Sequence, residues 1–305
     1  MKRLFILASA AIVALAACTK TEVVYKEAPQ EIGFNAVSGV MTKSSVALKE
    51  STMGVFAHRD GALYFDNTSF KDYTTHWGVS NVAQTRYWPV SGTLTFTAYA
   101  PYDDTNVTFT ENTLKINADN RVLASQKDWH YGTTRPVSAK TDENVDVTLN
   151  HALSLVEINI AKNTNVYLLG VELLNTNQKG VCSIIYPTAI PSWELDATSP
   201  TASTMALYEP DNSETGDKLS ADEKCTCLVI PTETLNAEAI RLTYKLEGSS
   251  SVLTYTTDGT TYDLTGAWAY GKKYVYNITI GTSEIKFNPT VTDWTEVTPN
   301  TAVSI

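Results

Sequence analysis

The chain has 305 residues, 43% of them hydrophobic, which suffices for one large domain or two ordinary ones. It carries 33 acidic against 23 basic residues, a formal net charge of −10 at pH 7. No cluster of basic residues stands out, so the chain lacks the electrostatic footprint of a nucleic-acid-binding protein.

The first eighteen residues are typical of an export signal. Lys2 and Arg3 form a positive region, an apolar stretch follows, and the run LAAC ends at Cys18. The apolar stretch is too short for a membrane span, and the closing cysteine is typical of a lipoprotein signal. We therefore expect residues 1–17 to be removed and Cys18 to carry the lipid that anchors the chain. An ordinary secretory signal with a chance cysteine is the alternative.

Residues 18–30 are polar and predict a tether. Beyond them no stretch has a sustained apolar period of 3.6 residues. Short runs rich in Val, Ile, Thr and Tyr recur instead, separated by Gly, Asn, Asp and Pro. In TLTFTAYA, Leu94, Phe96, Ala98 and Ala100 share one face, as in an antiparallel strand that buries one side. Runs of this length and spacing predict an all-β fold of antiparallel β-sandwiches.

Two domains fit these runs better than one. They fill both halves of the chain, and a turn-like point separates VDVTL from LSLVEINI. We place the boundary near residue 150, which gives an amino-terminal sandwich over 31–150 and a carboxy-terminal sandwich over 151–305. Residues 192–223, rich in Ser, Thr, Asp, Glu and Pro, are expected to form a long loop.

Three cysteines remain after Cys18, so at most one disulfide can form within the chain. Cys225 and Cys227 lie two apart in a strand-like run and would point to the same face. No further Cys or His lies near them at metal-ligand spacing. We expect all three to be small buried hydrophobes, while a disulfide from Cys182 stays open.

Signs of catalysis are weak. No G-x-S-x-G motif or phosphate-binding glycine loop is present, and the four histidines, His58, His76, His130 and His151, are scattered along the sequence. Asp103 and Asp104 follow a proline and are expected to be solvated turn residues. A Ser-His-Asp catalytic triad formed by residues distant in the sequence stays open as an alternative, but no motif supports it. We expect no enzymatic activity, no cofactor and no metal site.

An acidic segment partly matches a calcium loop. It begins at Asp211, has Gly216 at position 6 and Asp222 at position 12. Positions 3 and 5 are Ser213 and Thr215, and no amphipathic helix flanks the segment. A solvated acidic loop is therefore favoured over a calcium site.

An aromatic group falls between residues 77 and 102. Exposed, it could stack on sugar rings and bind glycans, whereas buried it would form the core of a β-sandwich. Core packing is favoured. The six residues are Trp77, Tyr87, Trp88, Phe96, Tyr99 and Tyr102.

Four segments follow one another along the chain: TRYWPVSGTLTFTAYAPY (85–102), QKDWHYG (126–132), VDVTLNHALSLVEINI (145–160) and GKKYVYNITI with VTDW (271–280 and 291–294). In this order they resemble the fimbrillin-like, or Mfa-like, family of pilus subunits. With the lipoprotein signal, the resemblance covers most of the chain.

The resemblance implies two transthyretin-like β-sandwich domains and assembly into a type V pilus. In that assembly a lipoprotein precursor reaches the outer membrane, and a trypsin-like protease cuts after an Arg or Lys. The cut frees the first strand, and a carboxy-terminal segment of a neighbouring subunit fills the groove. An open sheet edge beside an apolar groove binds an added strand well, and head-to-tail addition yields a fibre.

The required segments are present. EIGFNAV (31–37) predicts a released first strand with Ile32, Phe34 and Ala36 on one face. The resemblance places the cut between Lys43 and Ser44. Because the family more often shows Arg there, Lys49 and Arg59 are rival sites.

The donor strand would lie within residues 291–305. Its apolar candidates are Val297, Ala302, Val303 and Ile305.

The expected function is therefore that of a structural subunit, at the shaft or the tip of a surface fimbria. Its expected partners are other pilus subunits, the processing protease and the outer membrane. The alternative is a surface lipoprotein that does not polymerise and serves as a pilus anchor or as an adhesin for glycans or host proteins.

Overall fold

The computed structural model of the chain describes residues 29–38, 46–47, 52–139, 143–176, 178–196, 204–232, 239–257, 268–281 and 285–294. Across these residues the secondary structure consists of β-strands and two short 3₁₀ turns, Val82–Gln84 and Leu123–Ser125. The predicted all-β class is confirmed. None of the described segments forms a helix long and apolar enough to cross a membrane.

The strands are numbered in chain order. They are β1 (Phe34–Ser38), β2 (Val46–Ala47), β3 (Thr52–Arg59), β4 (Ala62–Asp72), β5 (Trp77–Val79), β6 (Thr95–Ala100), β7 (Val107–Thr110), β8 (Thr113–Asp119), β9 (His130–Thr133), β10 (Val145–His151), β11 (Ser154–Ile160), β12 (Val166–Leu173), β13 (Lys179–Ile185), β14 (Ile190–Leu195), β15 (Met205–Tyr208), β16 (Asp217–Lys218), β17 (Glu223–Val229), β18 (Ile240–Leu246), β19 (Leu253–Thr256), β20 (Lys272–Ile280) and β21 (Ile285–Asp293).

The first half of the chain forms a closed barrel rather than the predicted sandwich. Seven strands follow one another in the order β10, β9, β6, β3, β4, β5 and β1, and β1 pairs again with β10. That last ladder is parallel and runs from Phe34 opposite Val145 to Ser38 opposite Leu149. An open sheet would leave the backbone groups of its two edge strands unpaired. Closing the barrel pairs these edges through hydrogen bonds, which is why a barrel forms in place of the predicted sandwich.

Two sheets of the second half share one apolar core. The first has the order β17, β11, β20, β21, and the second has the order β15, β12, β18, β19 with β16 also on β12. Val156 and Ile158 of β11 pack in the same buried cluster as Leu168 and Val171 of β12. Alternation along β11 and β12 buries these residues on the facing sides of the two sheets.

The segment 192–223, predicted as a long loop, contains strands. It holds the end of β14 and all of β15 and β16 within its described part. Met205 and Leu207 of β15 are buried in the core of the second half. Their alternation with Ala206, which is exposed, makes a short strand that the surrounding polar composition concealed.

A fourth sheet joins the two halves. Its order is β14, β13, β8, β7, so β13, which follows residue 150, pairs with β8, which precedes it. Seven register pairs connect them, from Lys179 opposite Asp119 to Ile185 opposite Thr113. The proposed boundary near residue 150 lies within β10.

A third apolar cluster, here called the junction core, lies where the fourth sheet contacts both halves. It contains Tyr99 of the barrel, Ile116 and Cys182 of the fourth sheet, and Trp294 after β21. Gln126 ties it to the edge of β17, because its side chain accepts from Leu228 N at 2.7 Å and donates to Leu228 O at 3.0 Å. The halves are thus held by packing and by hydrogen bonds.

Glu157, on the central strand β11, is held between two lysines. Oε2 lies 2.7 Å from Nζ of Lys224 on β17 and 2.7 Å from Nζ of Lys273 on β20. Burial acts to raise the pKa of this carboxyl, but the hydrogen bonds from both lysines outweigh it and lower the pKa to about 2. The stabilisation is therefore present above pH 4.5 and is lost as the pH falls towards 2.

Replacing Glu157 by Gln should lower the free energy of unfolding at pH 7 by about 2 kcal/mol, because two lysines lose their shared anion. The difference from the unchanged chain should shrink as the pH approaches 2. Urea unfolding at pH 7 and pH 3 measures both effects. Glu194→Gln, at an exposed position, is the control and should change little. Equal stability of the Glu157 variant and the unchanged chain at pH 7 would contradict this assignment.

Candidate assembly site

Strand β1 is held in the barrel wall by its backbone. Besides the parallel ladder to β10, Val37 and Ser38 pair with Ala47 and Val46 of β2. Just before the strand, Ile32 N donates to Arg86 O at 2.8 Å. Among the described residues, these bonds join Ile32 and β1 to segments that follow later in the chain.

The inward face of β1 is apolar and buried. Ile32, Phe34 and Ala36 have exposed fractions of 3%, 0% and 7%, which confirms that they share one face. The Phe34 ring packs edge-on against Phe70 and Phe96, with ring centroids 4.9 and 5.1 Å away. Without β1, this position would be an apolar slot between β5 and β10.

The walls of that slot are apolar as well. Every second residue of β10 is buried, and three of them, Val145, Val147 and Leu149, face the barrel interior with Phe34. Outside, Asn35 Nδ2 donates to Asp146 Oδ1 at 2.9 Å. The site thus offers apolar contacts inside and a polar rim outside, which suits an added strand with alternating side chains.

The predicted cut, between Lys43 and Ser44, lies outside the described residues, as does the rival Lys49. In the chain it falls between β1 and β2. The other rival, Arg59, ends β3, and its side chain is 40% exposed. A cut there would place β3 in the released piece, although β3 is paired along its length with both β4 and β6. The geometry therefore favours a cut before β2 over one at Arg59.

Trp294, from which the carboxy-terminal segment continues, is held in place by packing and by a backbone hydrogen bond. Trp294, the last described residue, is 6% exposed and its backbone N donates to Gly271 O at 3.0 Å. Its ring stacks on the His151 ring, with centroids 3.6 Å apart and an angle of 10°. The predicted donor residues Val297, Ala302, Val303 and Ile305 lie outside the described residues.

The predicted aromatic group is mostly core, as expected. Trp77, Trp88 and Phe96 are buried in the barrel interior. Tyr99 is buried in the junction core, while Tyr102 is partly buried against it and Tyr87 is 41% exposed. Since the group is divided between two cores, it presents no continuous aromatic platform for a sugar ring.

The calcium-loop match does not assemble a site. Asp217 Oδ2 accepts from the Tyr208 hydroxyl at 2.7 Å and from Asp211 N at 2.9 Å. Asp222 accepts from Lys162 N at 2.9 Å, away from that turn. These carboxylates stabilise the local backbone.

The three described cysteines are free and buried, as predicted. Cys182 packs in the junction core, whereas Cys225 and Cys227 pack in the core of the second half. Burial raises the pKa of Cys182 and of Cys225 to about 12, so these thiols stay protonated at neutral pH. Cys182 therefore pairs with neither of the other two.

Sequence reasoning missed a cluster of Asp128, His130 and His151. His130 and His151 are cross-strand partners in β9 and β10, so their rings lie 4.3 Å apart. Asp128 Oδ1 lies 3.0 Å from His151 Nδ1. In the sequence only the proximity of Asp128 and His130 pointed to this cluster. His151 joins it through the pairing of β9 with β10, which the sequence does not reveal. Asp103 is the predicted turn residue, since it accepts from Thr105 N and Asn106 N. It is not solvated as predicted, because its side chain is 9% exposed and pairs with Lys127 Nζ at 2.7 Å.

Burial determines the charge of both imidazoles. It lowers the pKa of His130 to about 4 and that of His151 to about 3, and the nearby Asp128 only partly opposes it at His130. Both rings are therefore neutral at physiological pH. The His151–Asp128 pair resembles two members of a catalytic triad, but His151 Nε2 contacts no hydrogen-bonding group in the described part of the chain.

Comparison with known proteins agrees with this architecture. The chain superimposes with a TM-score of 0.61 on a candidate cell adhesion protein of Bacteroides uniformis, at 20% identity over 87% of this chain and 98% of that one. A candidate cell adhesion protein of Bacteroides ovatus gives 0.62 at 15% identity, over 89% and 100%. A fimbrial protein of Bacteroides vulgatus gives 0.55 at 18% identity, over 87% and 100%. These likenesses show the fold.

Among curated proteins no sequence matches the chain. The family model described as fimbrillin-like matches residues 30–294, which is most of the chain. The chain therefore belongs to the fimbrillin-like family.

Proposed function

We propose that the protein is a structural subunit of a surface fimbria that assembles by strand exchange. The observation that carries the proposal is the position of β1, which closes a barrel and turns the buried side chains of Phe34 and Ala36 inward. One cut after β1 makes it a separate peptide held only by non-covalent contacts. Its departure leaves an open edge on β10 and an unfilled apolar slot, and both favour binding of another strand.

Lys43 is the proposed position of that cut. A trypsin-like protease requires a basic residue before the scissile bond, and Lys43 lies between β1 and β2 in the chain. Two register pairs connect β1 with β2, so the released strand gives up little pairing there. A cut at this position would divide none of the described strands of the barrel.

The carboxy-terminal segment 295–305 is the proposed donor. It follows Trp294 directly, and Val297, Val303 and Ile305 have the same parity in an extended chain, so they would share one face. The apolar residues of that face would replace Ile32, Phe34 and Ala36 in the slot. Because donor and acceptor sites differ, each subunit can give one strand and receive another, and the polymer does not close.

We further propose that the precursor is exported as a lipoprotein with its lipid on Cys18, and that it reaches the outer membrane before the cut. The relatives named above as fimbrial or adhesion proteins are consistent with a place at the cell surface. A cut after Lys43 would separate the subunit from its lipid. The same event would therefore release the chain from the membrane and open its acceptor slot.

A chain that ends at Trp294 tests the donor assignment. After cutting, the full-length protein should form a ladder of oligomers on native gels, whereas the shortened chain should remain monomeric. Because the shortened chain keeps its acceptor slot, adding it to full-length protein should cap growing polymers and shorten the ladder in proportion to the amount added. Capping also shows that the shortened chain is folded.

Polymerisation of the cut, shortened chain by itself would refute the proposed donor. A folded but inert shortened chain that neither polymerises nor caps would refute the proposed acceptor.

A further inference from the structure

The cluster of Asp128, His130 and His151 lies where the barrel meets the junction core. Asp128 immediately precedes Trp129, which is 2% exposed, and His130 begins β9 while His151 ends β10. His130 and His151 are 0% and 3% exposed. One nitrogen or oxygen atom from each of the three side chains lies within 4.8 Å of the other two.

Hydrogen bonds assign the tautomer of both imidazoles. His130 Nδ1 lies 2.9 Å from the Asp128 carbonyl oxygen, which can only accept, so Nδ1 carries the hydrogen. His151 Nδ1 lies 3.0 Å from a carboxylate oxygen of Asp128 and donates to it when no ion is bound. In the neutral His130 ring Nε2 therefore carries a free lone pair.

The His130 lone pair lacks a hydrogen-bond donor in the described part of the chain, where Nε2 is buried and without a partner. Asp128 Oδ2 lies 3.7 Å from it and is itself an acceptor. A buried unsatisfied acceptor is costly, so a lone pair that faces a carboxylate oxygen at this distance indicates a missing cation.

The arrangement has the features of a metal site. A histidine that binds a metal through one nitrogen donates its other N–H to a carboxylate or a backbone carbonyl, as His130 does here. Two imidazole nitrogens with one carboxylate form a common donor set for Zn²⁺. The Asp128 side chain is 14% exposed, which provides a route from solvent to an otherwise buried site.

We propose that the Asp128 carboxylate, His130 Nε2 and His151 Nδ1 bind one divalent transition-metal ion of the Zn²⁺ type. When the ion binds, the hydrogen on His151 moves from Nδ1 to Nε2. Bonds of about 2.0–2.1 Å to each ligand bring ligand atoms to about 3.3 Å from one another, so the ion draws the three side chains closer together. His151 also stacks on Trp294, where the described chain ends. The ion would therefore reinforce the junction from which the carboxy-terminal segment leaves. This site does not depend on strand exchange.

The test uses the tag-free chain without its signal, stripped with a chelator and dialysed against Zn²⁺, with bound metal measured by mass spectrometry. His130→Asn and Asp128→Asn remove ligands at nearly constant volume. His76→Asn removes an exposed histidine and is the matched control. We expect one Zn²⁺ per chain in the unchanged protein and in the control, and at least tenfold weaker binding in the two cluster variants. Circular dichroism checks that all variants are folded.

A second measurement needs no variant. Co²⁺ added to the stripped chain should give visible absorption bands of a four-coordinate site, and Zn²⁺ should displace them. Failure of the unchanged chain to bind either ion would overturn the proposal and would leave an ordered water as the partner of the His130 lone pair. Equal Zn²⁺ binding by the unchanged protein and a folded His130→Asn variant would overturn it as well.

Discussion

Replacing Lys43 by Gln should abolish the processing cut and leave the chain full length and monomeric. A trypsin-like protease binds the basic side chain before the scissile bond through a charged pocket, and glutamine has no charge to offer. Without the cut, β1 stays covalently continuous with the chain and the acceptor slot stays filled. Limited digestion followed by intact-mass measurement and a native gel gives both results, and we expect the ladder to be lost completely.

Two matched variants control this result. Lys49→Gln and Arg59→Gln remove the rival basic residues, and both should still be cut after Lys43 and polymerise. A Lys43→Gln chain that polymerises as well as the unchanged protein would contradict the assigned cut. The masses of its fragments would then identify the residue that the protease uses instead.

Replacing Phe34 by Ala should destabilise the uncut chain strongly. The ring is fully buried and packs edge-on against Phe70 and Phe96, so its loss leaves a cavity in the barrel interior. Truncation of a buried phenylalanine costs about 3–5 kcal/mol, and urea unfolding of the uncut precursor should show a loss of that size. Asn35→Ala, on the outward face of the same strand, should cost much less.

The same substitution should speed assembly once the chain is cut. Weaker burial lets β1 leave sooner, so the cut Phe34→Ala chain should form oligomers faster than the cut unchanged chain. The Asn35→Ala chain should assemble at nearly the unchanged rate. If the cut Phe34→Ala chain is folded yet assembles no faster, loss of β1 is not the step that limits assembly.

The sequence predicted the strands better than their arrangement. Alternation of buried and exposed residues is a local property, so the faces of β1 and β10 follow from it, as does the burial of the three cysteines. The buried residues of β11 and β12 follow the same alternation. The prediction that β6 buries only one side was wrong. Phe96 faces the barrel interior, but Thr97 and Tyr99 on the other side are 2% and 0% exposed, because Tyr99 packs in the junction core. The order of the four family-like segments along the chain predicted the fimbrillin-like family, and the family match over residues 30–294 confirms it.

Pairings between distant strands could not be predicted in this way. The parallel ladder between β1 and β10 closes the barrel, and the ladder between β8 and β13 joins the halves, yet neither leaves a local signal. The cluster of Asp128, His130 and His151 depends on the same kind of information. His151 belongs to this cluster only because the register between β9 and β10 places it opposite His130.

The central claim is that β1 is exchanged for a strand of another subunit. The most direct test is the intact mass of the chain within purified oligomers, after cutting of the unchanged protein by a trypsin-like protease. We predict that oligomers contain only chains that begin at Ser44, with the fragment that carries β1 recovered free in solution. Oligomers that retain the β1 fragment, or a cut chain that stays monomeric, would contradict strand exchange.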